Sequence, residues 1–164
     1  MTVYIAVCGP DPAPEEVERH AEEIGRLLAR AGAVVVCGGL GGTMAAVARG
    51  AASERGTVLG ILPDAHRGRA DSNLTFSIPT GMGEMRNALI VRSADALIAV
   101  AGEFGTLSEV AFALKIGVPV VGLDTWELFK AGEPVTAFAT VSSAQEAVEE
   151  ALRLAGELRS RTPL

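Results

Sequence analysis

Ala101-Gly-Glu-Phe-Gly-Thr-Leu-Ser-Glu109 begins where an apolar run, 96–101, ends, and it contains the start of a helical pattern at Thr106. Strand, glycine-rich turn and helix start in that order suit the binding of an anion. The first N–H groups of a helix lack intrahelical acceptors, and the aligned peptide dipoles place partial positive charge beside them, here at Gly105, Thr106 and Leu107. Gly102 and Gly105 allow close backbone approach or positive φ, and Thr106 can cap the helix or donate its hydroxyl to a phosphate. The same residues also suit an ordinary strand-to-helix turn with a threonine cap.

A second turn of this kind, Gly38-Gly-Leu-Gly-Gly-Thr43, stands between the apolar run 34–37 and a stretch of small residues. It lacks the lysine of a Walker loop, and a dinucleotide fingerprint begun at Gly39 would need glycine where Met44 stands. Gly38, Gly39, Gly41, Gly42 and Thr43 are candidates for ligand contact because both turns fall at strand carboxyl ends; close packing of Ala45, Ala46 and Ala48 on a sheet is the alternative. Two cysteines, Cys8 and Cys37, close apolar runs and have no histidine partners, which favours buried reduced thiols over a disulfide or a metal site.

The elements that must carry these turns alternate along the chain. Residues 3–8, 34–37, 57–62, 96–101 and 118–123 are apolar and β-rich, with shorter strands expected at 76–78 and 137–141. Helical spacing runs over 15–31, 43–52, 84–94 and 106–116, with Gly32 and Gly117 as stops. Ser143-Ala-Gln-Glu146 is a capping-box signature for a last helix, 159–164 reads as a frayed tail, and 63–75 reads as a polar, mobile loop. Repeated strand, crossover helix, strand implies a single domain, 1–158, with a doubly wound parallel α/β sheet, Rossmann-like, and helices on both faces. Ligands of such sheets bind outside the strand carboxyl ends, where strand order switches.

Composition narrows the partners. At 164 residues, 49% hydrophobic with mean hydropathy +0.33, the chain has enough apolar content for one sizeable core. A net charge of −6 argues against nucleic acid, which requires a basic face, while leaving room for a small anion in a local pocket. The start, Met1-Thr-Val-Tyr-Ile-Ala-Val-Cys8, lacks the features of a signal peptide, and no apolar run has the length of a membrane span, so a cytoplasmic protein without membrane contact is expected.

Arg86-Asn-Ala-Leu-Ile-Val-Arg92, Ser93-Ala-Asp-Ala96 and 101–109 resemble the Lonely Guy family, also known as lysine-decarboxylase-like, whose signature is P-G-G-x-G-T-x-x-E. The 38–43 turn fits the first glycine-rich turn of the same family. The resemblance implies Arg86 and Glu109 as catalytic residues and Gly102, Glu103, Gly105 and Thr106 at the phosphate cradle. Members with known activity are phosphoribohydrolases that cleave the N-glycosidic bond of nucleoside 5′-monophosphates. A carboxylate suits the oxocarbenium character of that reaction, and an arginine clamps phosphate or ribose oxygens. The short form G-M-G-x-x-R-N is more similar to the molybdenum-cofactor carrier branch, which binds a pterin phosphate without known turnover.

Departures from the signature weigh on the enzyme branch: Ala101 replaces its proline, Glu103 its second glycine, and Met85 and Asn87 stand where the enzymes usually have Glu and Lys. Glu103 would repel a phosphate unless it turned to solvent or met Arg67 or Arg69. The implied role is therefore binding of a phosphorylated small molecule, either a nucleoside monophosphate or the molybdenum cofactor, with no resident cofactor or metal required; phosphoribohydrolase activity is the alternative. Lysine decarboxylation is rejected, since Lys115 and Lys130, the only lysines, offer no pyridoxal-phosphate framework. A homodimer, or an assembly of dimers, is expected because 88–91 and Phe112 carry apolar surface beyond what one sheet covers.

Overall fold

The computed structural model describes residues 2–161. Its elements, in chain order, are β1 (Tyr4–Cys8), α1 (Glu15–Arg30), β2 (Val34–Cys37), α2 (Gly42–Ser53), β3 (Val58–Leu62), β4 (Phe76–Pro79), a 3-10 turn (Gly83–Arg86), α3 (Asn87–Arg92), β5 (Ala96–Val100), α4 (Phe104–Ile116), β6 (Val120–Leu123), β7 (Phe129–Lys130), β8 (Glu133–Pro134), β9 (Ala139–Val141) and α5 (Ala144–Arg161). Seven strands form one parallel sheet in the order β4-β3-β2-β1-β5-β6-β9, and β7 and β8 pair separately as an antiparallel hairpin. The order runs outward in both directions from β1 and β5. This is the doubly wound α/β architecture expected from the alternation of elements, with its switch between those two strands.

Alternation along the strands builds two cores. Ile5, Val7, Val35 and Ile98 face α1, α2 and α5, where Ile24, Leu28, Val47 and Ala151 meet them; Ala6, Val36, Leu97 and Ala99 face α3 and α4 through Ile90, Val91, Val110 and Ala113. Each fully buried Ile or Leu contributes about 1.5–3 kcal/mol relative to exposure. Helices α1 and α2 approach closely enough to require glycine: a Cβ on Gly25 would lie 2.1 Å from the Val47 carbonyl oxygen, and one on Gly50 would lie 1.9 Å from that of Glu22.

Several local features differ from the sequence expectation. The pattern at 84–94 divides into a 3-10 turn and the short α3, and α4 starts at Phe104 rather than Thr106. The β7–β8 hairpin was not anticipated. The loop 63–75 is tied down by the Asp71 N–H on the Gly39 carbonyl (3.0 Å) and by an ion pair between Arg69 and Asp64 (2.8 Å). Helix α5 continues through Arg161, and Arg159 pairs with Asp95 at 3.1 Å; the rest of the tail, 162–164, lies outside the described residues. Ser143 caps α5, its Oγ accepting from the Glu146 N–H at 3.2 Å, while the Glu146 carboxylate accepts from the Ser142 N–H and hydroxyl. No helix among the described residues is long and apolar enough to cross a membrane.

Candidate functional site

A cleft of about 300 Å³ opens at the carboxyl ends of β1, β2 and β5, where strand order switches. Its β5 side is the turn into α4. Glu103 is the N-cap residue in extended conformation, and the Leu107 N–H makes the first helical bond, to the Glu103 carbonyl at 3.0 Å. The N–H groups of Phe104, Gly105 and Thr106 therefore have no acceptor among the described residues, and Gly105 and Thr106 line the cleft. Gly102 lies behind this turn with φ 130°; a Cβ there would sit 2.7 Å from the Thr106 side chain. Ala101 precedes it at φ 49°, a value closed to proline, so the departure from the signature proline matches the path of this turn.

The turn after β2 is used differently. Thr43 donates both its N–H (3.1 Å) and its hydroxyl (2.9 Å) to the Pro10 carbonyl. A Cβ on Gly41 would lie 2.9 Å from Asp11 Oδ1, and one on Gly42 would lie 2.6 Å from the Pro10 oxygen. The start of α2 is thus filled by the loop that follows β1. Gly39 packs on Leu62 and Gly60. Of the eleven residues picked from the sequence, Gly38, Arg86, Glu103, Gly105, Thr106 and Glu109 line the cleft, whereas Gly39, Gly41, Gly42, Thr43 and Gly102 stand behind it.

Arg86 closes the 3-10 turn and is 7% exposed. It donates through Nη1 to Asn87 Oδ1, while its Nε is buried without a partner. Gly38 makes room for it, since a Cβ at that position would lie 2.5 Å from Nη2. Asn87 in turn donates to Ser108 Oγ (3.3 Å), and Ser108 donates to the Gly105 carbonyl (2.6 Å), which links the arginine's support to the first turn of α4.

Glu109, one helical turn beyond Thr106, is 6% exposed. Burial pushes its carboxyl up to about 7; the Arg86 guanidinium and a hydrogen bond from the Cys8 thiol oppose the rise, and Glu84 adds to it. The Cys8 thiol is pushed well above its ordinary range by burial and then by Glu109. A buried carboxyl that titrates near neutrality beside an arginine can exchange a proton with a bound molecule, and it can adjust its charge to that of an anion.

Sequence reasoning missed the contribution of β1: Cys8, Gly9 and Asp11 all line the cleft, as do Glu84 and Asn87. The signal was present in Gly9-Pro10-Asp11, which closes the first strand of a doubly wound sheet and so must lie at its switch point. The lining is acid-rich, with Asp11, Glu84, Glu103 and Glu109 against Arg86. Neither arginine considered as a partner for Glu103 reaches it: Arg69 is engaged with Asp64, and Arg67 donates to Ser77. Among the described residues no group of three His, Cys, Asp or Glu side chains is placed to hold a metal ion.

The chain is 45% identical over 121 residues to an uncharacterized protein of Archaeoglobus fulgidus, covering 74% of this chain and 80% of that one. Its fold is similar to that of the molybdenum cofactor binding protein from Rippkaea orientalis, with a TM-score of 0.85 and 30% identity over 94% of this chain and 98% of the other. It is also similar to the Moco carrier protein from Chlamydomonas reinhardtii, with a TM-score of 0.84 and 29% identity over 96% and 99% of the two chains. Residues 2–152 match the model of the SLOG cluster4 family, and the chain belongs to that family.

Proposed function

We propose that the cleft binds a phosphorylated small molecule of the molybdenum-cofactor type, a pterin carrying a phosphate, and that the protein acts as its carrier. The observation that carries this reading is the pairing of the open N–H donors of Phe104, Gly105 and Thr106 with the buried Arg86, whose Nε has no partner. Backbone donors at a helix N-terminus and a guanidinium are the groups that receive a phosphate. The likeness to a molybdenum cofactor binding protein and a Moco carrier protein supports the pterin. Glu109 adjusts the local charge, since its neutral form removes one negative charge from beside the anion.

A nucleoside 5′-monophosphate is the accessible probe of the phosphate site. It should raise the melting temperature, the free nucleoside should do so much less, and inorganic phosphate should compete. Equal stabilisation by nucleotide and nucleoside would exclude the phosphate cradle.

Glu109 favours a second reading, phosphoribohydrolase activity, because a buried carboxyl with a pKa of about 7 beside Arg86 suits general acid–base work on a glycosidic bond. Incubation with a panel of nucleoside monophosphates, followed by chromatography for free base, separates the two: a carrier releases none. Release that is lost in Glu109→Gln while binding persists would establish the enzyme. In either role the functional unit is proposed to be a homodimer located in the cytoplasm. Arg92 covers one face of Phe112 at 5.5 Å, while Met85 and Phe104 are about three-quarters exposed beside the cleft. A monomeric mass by light scattering at micromolar concentration would refute the dimer.

A further inference from the structure

Resting on the reading of the cleft as a phosphate site, we propose that Asp11 selects the ligand's heterocycle. Its carboxylate accepts paired hydrogen bonds from the ring N–H and amino group of a 2-amino-4-oxo pyrimidine edge, the edge that guanine and pterins share. Four carboxylates line the cleft, and they are not equivalent. Glu103 is the N-cap residue of α4, beside the anion site, and Glu84 lies close enough to Glu109 to raise its carboxyl. Asp11 is on the other side, packed over Gly41, the N-cap residue of α2 in the turn that follows β2.

Strand β1 lies between β2 and β5, so the two sides of the cleft are separated by two strand spacings, roughly 10 Å. A phosphate held at Gly105 and Thr106 therefore leaves the remainder of its molecule to extend toward Asp11. The Asp11 carboxylate is exposed to the cleft and makes no hydrogen bond or ion pair among the described residues, and Arg69, the cation whose charge it feels, is itself engaged with Asp64, so both Asp11 oxygens remain able to accept. Arg86, more than nine-tenths buried with an unpartnered Nε, independently marks the same cleft as built for a ligand.

Recognition follows from donor and acceptor patterns. A carboxylate is acceptor-only, so it matches an edge that presents two adjacent donors. Guanine presents N1–H and the 2-amino group side by side. Adenine presents an acceptor at N1, which faces the carboxylate lone pairs and leaves them unmatched. Two charge-assisted hydrogen bonds gained or lost correspond to a preference of roughly tenfold to a hundredfold.

Titration calorimetry of the whole chain with GMP, IMP and AMP tests this. GMP should bind at least about tenfold more tightly than AMP, and IMP, which lacks the 2-amino group, should fall between them. In Asp11→Asn the GMP-to-AMP ratio should collapse to within about threefold, while inorganic phosphate competes as well as in the wild type. A role for Asp11 confined to packing over Gly41 would leave that ratio unchanged. Equal affinities in the wild type, preference for AMP, or an undiminished ratio in Asp11→Asn would overturn the proposal and leave the phosphate site standing. Absence of binding by all three nucleotides and by phosphate would overturn the phosphate site, and this proposal with it. The comparison of three nucleotides on the wild type needs no variant, and equal affinities or a preference for AMP there overturn the proposal even if Asp11→Asn fails to fold.

Discussion

Arg86 and Glu109 reach the same buried floor from different elements, and the guanidinium restrains a carboxyl that burial drives up to about 7. The folded state therefore holds a proton on Glu109 at pH values where the unfolded chain has released it. Stability contributed by this group is highest below its unfolded pKa and falls as pH rises from about 4.5 to about 7. The whole effect is on the order of 3 kcal/mol at most. Glu109→Gln should match the wild type near pH 4.5 and exceed it by about 1–3 kcal/mol at pH 8, measured by urea unfolding at both values. A variant no more stable than wild type at pH 8 would mean that Glu109 ionises there without penalty.

Ligand binding should draw on the same proton. A phosphate at the first turn of α4 lies beside Glu109 and favours its neutral form, so binding raises the carboxyl's pKa further. Affinity should fall as pH rises above about 7, by up to about tenfold per pH unit, and binding at pH 7.5 should take up protons. Calorimetry in buffers of different ionisation enthalpy reads that uptake directly. Proton release on binding would place the anion away from Glu109.

Two glycines should separate stability from binding. Gly50→Ala drives a methyl to 1.9 Å from the Glu22 carbonyl oxygen, across the α1–α2 contact, and should cost about 3 kcal/mol or more. Gly105→Ala meets nothing within 4 Å and lies inside a helix, so it should stabilise by about 0.5–1 kcal/mol. Gly105 lines the cleft, and with a phosphate held at this turn the added methyl would obstruct its approach to the backbone, so nucleotide binding should weaken by tenfold or more. Thermal unfolding with and without GMP tests both; unimpaired binding by Gly105→Ala would remove that N–H from the site.

Ala101 holds a left-handed conformation, φ 49°, at the end of β5, and its carbonyl accepts from the Thr125 hydroxyl. Ala101→Gly should relieve about 0.5–1 kcal/mol of strain, whereas Ala101→Pro cannot adopt this φ and should cost about 3 kcal/mol or more. Chemical denaturation of the two variants would show whether the alanine is a consequence of the turn's path.

The sheet was legible because its strands are short apolar runs closed by glycine, and its helices carry a clear apolar stripe. The β5 side of the cleft was legible for a related reason: Gly102, Gly105 and Thr106 sit at a strand-to-helix junction, where backbone geometry follows from local sequence. The first glycine-rich turn was harder. Gly41, Gly42 and Thr43 have the composition of a ligand loop, yet their open space is taken by Pro10 and Asp11, which are some thirty residues away in sequence. Asp11 is marked in the sequence only by closing the first apolar strand run; the strand order, with β1 beside β5, brings it to the cleft. The environment of Glu109 was equally non-local, because the groups that act on its carboxyl, Arg86 from the 3-10 turn and Cys8 from β1, lie far from it in sequence.

Direct binding of the cofactor is the most immediate measurement. The protein would be mixed with an equimolar amount of molybdenum cofactor and passed over a gel-filtration column, with molybdenum read by mass spectrometry and pterin by fluorescence. The wild type should carry molybdenum and pterin together, approaching one per chain, and Arg86→Ala should retain at least tenfold less while remaining folded. Wild-type protein that emerges without either, or an Arg86→Ala variant that retains both in full, would contradict a phosphate-anchored carrier site at this cleft.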